Sequence, residues 1–365
     1  MIIHSDFAGG NIKTVRRSGN EVYLENELRD SGQDWFYWAF CVEDAAGQTV
    51  TFRFQENRLG YFGPAASHDL VNWKWLSETD KSRHSFLYGK NSFTYTFGKD
   101  ENRVFFAHSM LYHPDRFLRF AAAHGLEMSE FCRSRKGRSV PYTVFGCGKR
   151  SVILTARHHA CESTGSYVLE GVLSELLRDP LPDAKVLCVP FVDYDGVIDG
   201  DQGKARRPHD HNRDYDKNQP SIYPETAEIR RYADEHGCHY GFDFHSPWHI
   251  GDVNDCMFIV QNSFEKADRL DAFGKLLESE MTEKAFRYRH ENDYPFMHGW
   301  NLKSNNFSQY MISRPENVLA FTLETAYFGT QQNRVDQKNL TVSGRCFAKA
   351  LRKYIENYGA TEKIF

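Results

Sequence analysis

The stretch VILTARHHACESTGSYVLEGVLSELL, Val152 to Leu177, decides how the chain is read. It enters on an apolar run, Val152-Ile153-Leu154, of the kind that forms a buried strand. It leaves with Tyr167, Val168, Val172, Leu173, Leu176 and Leu177 at helical spacing. Between strand and helix lies the turn His159-Ala160-Cys161-Glu162. A neutral imidazole and a carboxylate on a turn that ends a strand can both point at one metal ion, leaving it open positions for water and substrate. The turn is therefore read as half of a zinc site. Cys161, between the two proposed ligands, is read as turn filler, with a nucleophile as the alternative.

The other half should sit at the end of another sheet strand, because ligands of open α/β sheets gather at the carboxyl ends of their strands. His239-Tyr240-Gly241-Phe242-Asp243-Phe244-His245-Ser246 is an apolar strand ending in a histidine, with Asp243 on the same side of the strand as His245. His245 is the third ligand in this reading, and Asp243 is either a buttress of the strand or the group that orients a ligating imidazole. Among the 16 histidines, His158 would face away from the ligand turn and is read as structural. His209 and His211 have metal-binding spacing but suit supporting or substrate-contacting roles better. His236, His239 and His249 look incidental. The run Val318-Leu319-Ala320-Phe321-Thr322-Leu323-Glu324 stays apolar until its carboxylate. A carboxylate at the end of a buried strand is costly unless a cation or a proton answers it, so Glu324 is a candidate general base with a raised pKa, a salt-bridged strand end being the alternative. The long loop from Asp193 to Asp216 carries Lys204, Arg206, Arg207, Asn212 and Arg213. Loops of this length inside a compact domain are usually functional, and a planar guanidinium beside an amide suits a substrate carboxylate.

A length of 365 residues favours one large domain plus a smaller one, and 41% hydrophobic with 26% charged residues is ordinary globular composition. The net charge of −4 gives no reason to expect nucleic acid or an anionic membrane as partner. The N-terminal residues lack a signal peptide's basic start and apolar core, and no run is long enough to cross a bilayer, so a soluble cytoplasmic protein is expected. Eight scattered cysteines without a CxxC pair argue against a disulfide scaffold.

From Phe7 to about residue 110 the pattern is short, aromatic and period-two. Strands are expected at 21–24, 35–42, 49–54, 92–97 and 103–107, which describes an all-β sandwich over residues 1–110. After His113-Pro114 a short helix is expected, then a basic hairpin turn, 132–141. Strands (151–156, 186–192, 239–245, 256–260, 318–324) then alternate with helices (166–178, 224–236, 264–285, 343–358). This is an α/β domain over residues 111–365, with a mixed, mostly parallel sheet flanked by helices.

With these pieces placed, the chain resembles the zinc metallocarboxypeptidases, in the cytosolic carboxypeptidase-like branch that puts a β-sandwich before the catalytic domain. The resemblance rests on His159-Ala160-Cys161-Glu162 for the HPGE-type ligand turn and on Asn212-Arg213 for the asparagine-arginine pair. It rests equally on His245-Ser246 and on the strand-end Glu324 in Thr322-Leu323-Glu324-Thr325. Three features depart from the pattern. Ala160-Cys161 replaces Pro-Gly in the ligand turn, and Asp193-Tyr194-Asp195-Gly196 replaces Asn-Pro-Asp-Gly. The arginine expected upstream of Asn212 falls at Gly203. Lys204 or Arg206 is expected to substitute for it, with Arg206 preferred because its charge does not titrate. Tyr310 is taken for the family's substrate tyrosine.

The resemblance implies one Zn²⁺ per chain on His159, Glu162 and His245, with Glu324 as base and the 204–206 cation at the oxyanion. Asn212 and Arg213 would hold the C-terminus of a peptide or protein substrate. The oligomeric state is left open. The rivals are a zinc amidase or deacylase of the same fold acting on a small amide, and a non-catalytic binding protein. Arg287, Arg289, His290, Lys303 and Asn305 are the candidates for a side-chain pocket.

Overall fold

The computed structural model describes residues 1–56, 58–87 and 91–358. The first 107 residues form two five-stranded sheets. One runs β1 (Ile2–His4), β4 (Ala39–Glu43), β10 (Arg103–Ala107), β6 (Ala65–Ser67), β7 (Trp73–Trp75). The other runs β2 (Lys13–Ser18), β3 (Glu21–Glu25), β5 (Thr49–Phe54), β9 (Ser92–Thr96), β8 (His84–Leu87). The all-β expectation holds, with two changes. Trp35–Trp38 lies outside the strands and only Ala39 onward enters the sheet, while the three-residue strands β1, β6 and β7 are too short to leave a periodic signal.

The first of these sheets is buried on both faces. Phe40, Val42, Val104 and Phe106 point into an aromatic core between the two sheets. Their alternating neighbours Ala39, Cys41, Phe105 and Ala107 point the other way, into a core shared with the rest of the chain. A strand covered on both sides reads as a continuous apolar run, which is how 39–42 and 104–107 look.

Beyond α1 (Pro114–Ala123), a seven-stranded sheet runs β11 (Ser129–Arg133), β12 (Ser139–Cys147), β14 (Ala184–Val189), β13 (Arg150–Ala156), β15 (Tyr240–His245), β17 (Leu319–Thr325), β16 (Met257–Val260). The four central strands, β14-β13-β15-β17, are parallel, and the flanking pairs are antiparallel. The sheet is mixed with a parallel centre. Val152 and Leu154 face α2 (Thr164–Arg178), α5 (Ala267–Glu280) and α7 (Gln337–Tyr358), while Ile153 faces α4 (Pro224–His236) and α6 (Phe307–Ile312). Helices α2 and α7 meet backbone to backbone: a Cβ on Gly171 would lie 2.0 Å from the Thr341 carbonyl oxygen, and one on Gly344 1.9 Å from that of Val168. Pro224 in the first turn and Gly237 just past the end bound α4, as its sequence indicates. The six-residue helices α3 (Tyr194–Asp199) and α6 escape the reading because so few residues carry no periodicity. Among the described residues no helix is long and apolar enough to cross a membrane.

Candidate active site

Three parallel strands, β13, β15 and β17, end side by side, and their carboxyl ends carry the site. The register sets His245 beside Glu324 across β15 and β17. The turn after β13 brings His159 and Glu162 to the same edge. His159, Glu162 and His245 are buried, with one donor atom from each lying within 4.8 Å of the others. His159 Nδ1 is 2.9 Å from Glu162 Oε1, and His245 Nδ1 is 2.6 Å from Oε2. The outer nitrogens of both rings meet carboxylates: His245 Nε2 is 2.5 Å from Asp243 Oδ2, and His159 Nε2 is 3.5 Å from Asp210 Oδ1. Carboxylates on the far nitrogens, inner nitrogens converging with a third donor, is the arrangement that fixes histidines as metal ligands. Two imidazoles and a carboxylate also suit zinc chemically.

A second donor group, His158, Asp243 and His245, shares one histidine with the first. In it both His158 nitrogens are already engaged, Nδ1 at 2.8 Å from Asp243 and Nε2 at 2.7 Å from the Tyr215 hydroxyl. Burial holds the His158 imidazole below its ordinary pKa, overriding Asp243. Its ring is held between Asp243 and Tyr215.

The charges are unequal. Burial alone would raise the Glu162 carboxyl. Lys204 and the two imidazoles overrule it and hold the group well below the usual range, Lys204 Nζ lying 2.8 Å from Oε1. Glu324 goes the other way. Burial, abetted by Glu162 and Asp243 and opposed by His245 and Lys204, pushes it up to about 7. Its Oε2 is buried and has no hydrogen-bond partner among the described residues. Of two nearby carboxylates, one is therefore held ionised and the other is poised near neutrality.

The loop residues divide. Gly203 has φ +74°, and a Cβ on it would lie 2.2 Å from the Ala160 amide nitrogen, so no side chain fits where the arginine was expected. Lys204 then reaches Glu162. The preference for Arg206 is corrected. Its guanidinium is turned away and locked against Asp30, Asp193 (2.7 Å) and Asp201 (3.2 Å), because three carboxylates in a mostly buried place need a cation. Asn212 is buried, with Oδ1 accepting from the Phe307 amide at 3.1 Å and Nδ2 3.4 Å from His245 Nε2. Arg213 is exposed and donates to the Asn212 carbonyl at 2.9 Å. Tyr310 is also corrected as a member of this group. It is buried on α6, its ring 5.8 Å from Tyr215 and flanked by Arg230 and Arg314. His209 and His211 pair with Asp214 and Asp193, Arg289 with Glu291, His290 with Asp271 and Asp293, and Asn305 with Asp216.

Three residues escaped the sequence reading. Arg157, fully buried with φ +62°, clamps the ligand turn by donating to the Ala160 and Tyr112 carbonyls. Asp210 sits behind His159, and Trp35 brings its ring within 5.1 Å of Lys204 Nζ. Only the left-handed turn itself could have hinted at Arg157. The other two depend on contacts distant in sequence.

The same architecture recurs in solved structures. A metallo-carboxypeptidase from Burkholderia cenocepacia superposes with a TM-score of 0.77 over 98% of this chain and 99% of its own, at 17% identity. One from Pseudomonas aeruginosa, in complex with (2-guanidinoethylmercapto)succinic acid, gives 0.76 over the same shares at 18% identity. The fold is that of a metallo-carboxypeptidase. Coverage of 98% means that the N-terminal sheets belong to the shared metallo-carboxypeptidase architecture along with the α/β part. By sequence, the chain is 26% identical over 327 residues to an uncharacterized protein of Zymomonas mobilis, covering 84% of each. It is 29% identical over 291 residues to cytosolic carboxypeptidase 2 of Xenopus tropicalis, covering 66% of this chain and 30% of that one. The chain spans about a third of the length of the cytosolic carboxypeptidases it matches. No family model matches it.

Proposed function

We propose that the protein is a zinc-dependent carboxypeptidase that removes the C-terminal residue of a peptide or protein. The observation that carries this reading is the pairing of a two-histidine, one-carboxylate donor set with Glu324 on the adjacent strand, whose carboxyl is pushed up to about 7 and whose Oε2 has no hydrogen-bond partner among the described residues. His159, Glu162 and His245 would hold the ion. A zinc ion there supplies Lewis acidity, which acidifies water and polarises a carbonyl oxygen. Glu324 takes a proton from the attacking water and returns it to the leaving amine, a task matched to a carboxyl poised near pH 7. Lys204 faces the oxygen on which negative charge develops. Asn212 holds one side of the substrate's terminal carboxylate, and Arg213, swung from the Asn212 carbonyl, closes on the other with its planar fork. Asp243 and Asp210 keep the two imidazoles oriented.

We treat residues 1–110 and 111–365 as the two domains of this enzyme. The cytoplasm is the compartment the reading implies: several relatives are named cytosolic, and all eight cysteines are unpaired. Metal analysis of the purified protein should find about one zinc per chain. Glu324→Gln should lose at least about a thousandfold in kcat on a C-terminal peptide library while still binding zinc. Zinc far below one equivalent, full hydrolysis by the variant, or equal turnover of C-terminally amidated peptides would sink the proposal.

A further inference from the structure

A lysine side chain is long and flexible, so the approach of Lys204 to Glu162 needs something to hold it. The loop that carries it is gripped by the segment between β3 and β4. Ser31 Oγ donates to the Lys204 carbonyl at 2.8 Å, and the Gly32 amide donates to the Ala205 carbonyl at 2.9 Å. The Gln202 side chain accepts from the Tyr37 amide at 3.0 Å and donates to the Glu27 and Tyr37 carbonyls, each at 2.9 Å. Ala205 is kept at φ +49°, a conformation a non-glycine residue holds only when its surroundings over-determine it. The ammonium itself lies over the Trp35 ring, 5.1 Å from its centroid. Trp35 is buried and immobilised by Phe36, stacked at 5.0 Å, and by the edge of Trp248 at 4.8 Å. A fixed aromatic face attracts an ammonium and restricts where it can sit.

We propose that the segment between β3 and β4 is a working part of the catalytic site, with Trp35 as the positioning residue that holds the Lys204 ammonium at Glu162. The consequence for turnover rests on the carboxypeptidase reading, whereas the hold on Lys204 does not. A double-mutant cycle in the full-length protein tests the first. Trp35→Leu should lower kcat roughly 10- to 100-fold with KM within about threefold and zinc content unchanged, and Trp35→Phe should keep most of the activity. In a Lys204→Ala background, Trp35→Leu should cost less than about threefold more, because its effect has already been removed. Unchanged kcat in Trp35→Leu, or losses that multiply in the double variant, would overturn the proposal.

NMR of protein with ¹³C-labelled lysine tests the second without any substrate. The Lys204 ε-methylene resonance, assigned by its loss in Lys204→Ala, should be shifted upfield by the indole ring. The shift should persist in part in Trp35→Phe and vanish in Trp35→Leu. An unshifted resonance in the native protein overturns the proposal. If the native protein cleaves no peptide while the shift is present, the carboxypeptidase reading fails and the hold on Lys204 stands.

Discussion

On one side of the loop that follows Gly203, a single cation, Lys204, meets the single carboxylate of Glu162, and Glu324 Oε2 has no hydrogen-bond partner among the described residues. On the other side Arg206 answers three carboxylates at once, those of Asp30, Asp193 and Asp201. Lys204 lies over an aromatic ring with one carboxylate partner at 2.8 Å, whereas Arg206 has its fork filled. The difference is between a cation saturated by the fold and one that keeps a single carboxylate partner, as the proposed role of Lys204 requires. A saturated guanidinium has nothing left to offer a carbonyl oxygen. An ammonium with one strong partner does.

Breaking the saturated side should have the largest effect on stability. Arg206→Met leaves three mostly buried acids without their cation and should cost about 3–5 kcal/mol of unfolding free energy, read by urea denaturation. Breaking the other side should leave the fold nearly intact and cost the chemistry. Lys204→Ala should lower kcat by about 10²- to 10³-fold, equivalent to roughly 3–4 kcal/mol of barrier, with unfolding free energy within about 1 kcal/mol of native. If the two variants exchange these phenotypes, the division of roles is wrong.

The smallest effect sharpens the comparison through pH. Glu225, buried at the start of α4 on the Arg206 side, has an Oε2 without a hydrogen-bond partner among the described residues, and burial pushes its carboxyl up to about 7. The folded state thus holds this proton more tightly than the unfolded chain, where the pKa is about 4.3. The advantage is complete below that value and is lost as pH rises through 7. Glu225→Gln should therefore match the native protein at pH 4 and be more stable at pH 8, by roughly 1–3 kcal/mol. Equal denaturation midpoints at pH 8 would show that the Glu225 proton is not linked to folding.

The ligand turn and the strand ends were legible because their geometry is local. His159 and Glu162 share a turn, and Asp243 and His245 share a strand face, as period-two spacing requires. Glu324 could be suspected from burial cost alone. The choice between Lys204 and Arg206 was not legible. A charge that does not titrate favours Arg206, but the close approach of Gly203 to Ala160 and the ion pair of Arg206 with Asp30, both contacts across long stretches of chain, turn Arg206 away from Glu162. Tyr310 fails for the same reason: nothing local says that α6 turns its ring into the core. Trp35 and Asp210 likewise acquire their places only when separate segments meet.

The sheet buried on both faces gives the molecule its thermodynamic character. Phe36, Cys41 and Phe105 on one side and Phe242, Leu323 and Phe328 on the other lie in one continuous core, beside the separate core between the two N-terminal sheets. Separating them would wet an aromatic surface that a monomeric protein rarely shows to solvent. A fragment trimmed near residue 110 would be left with an adhesive face in place of a boundary.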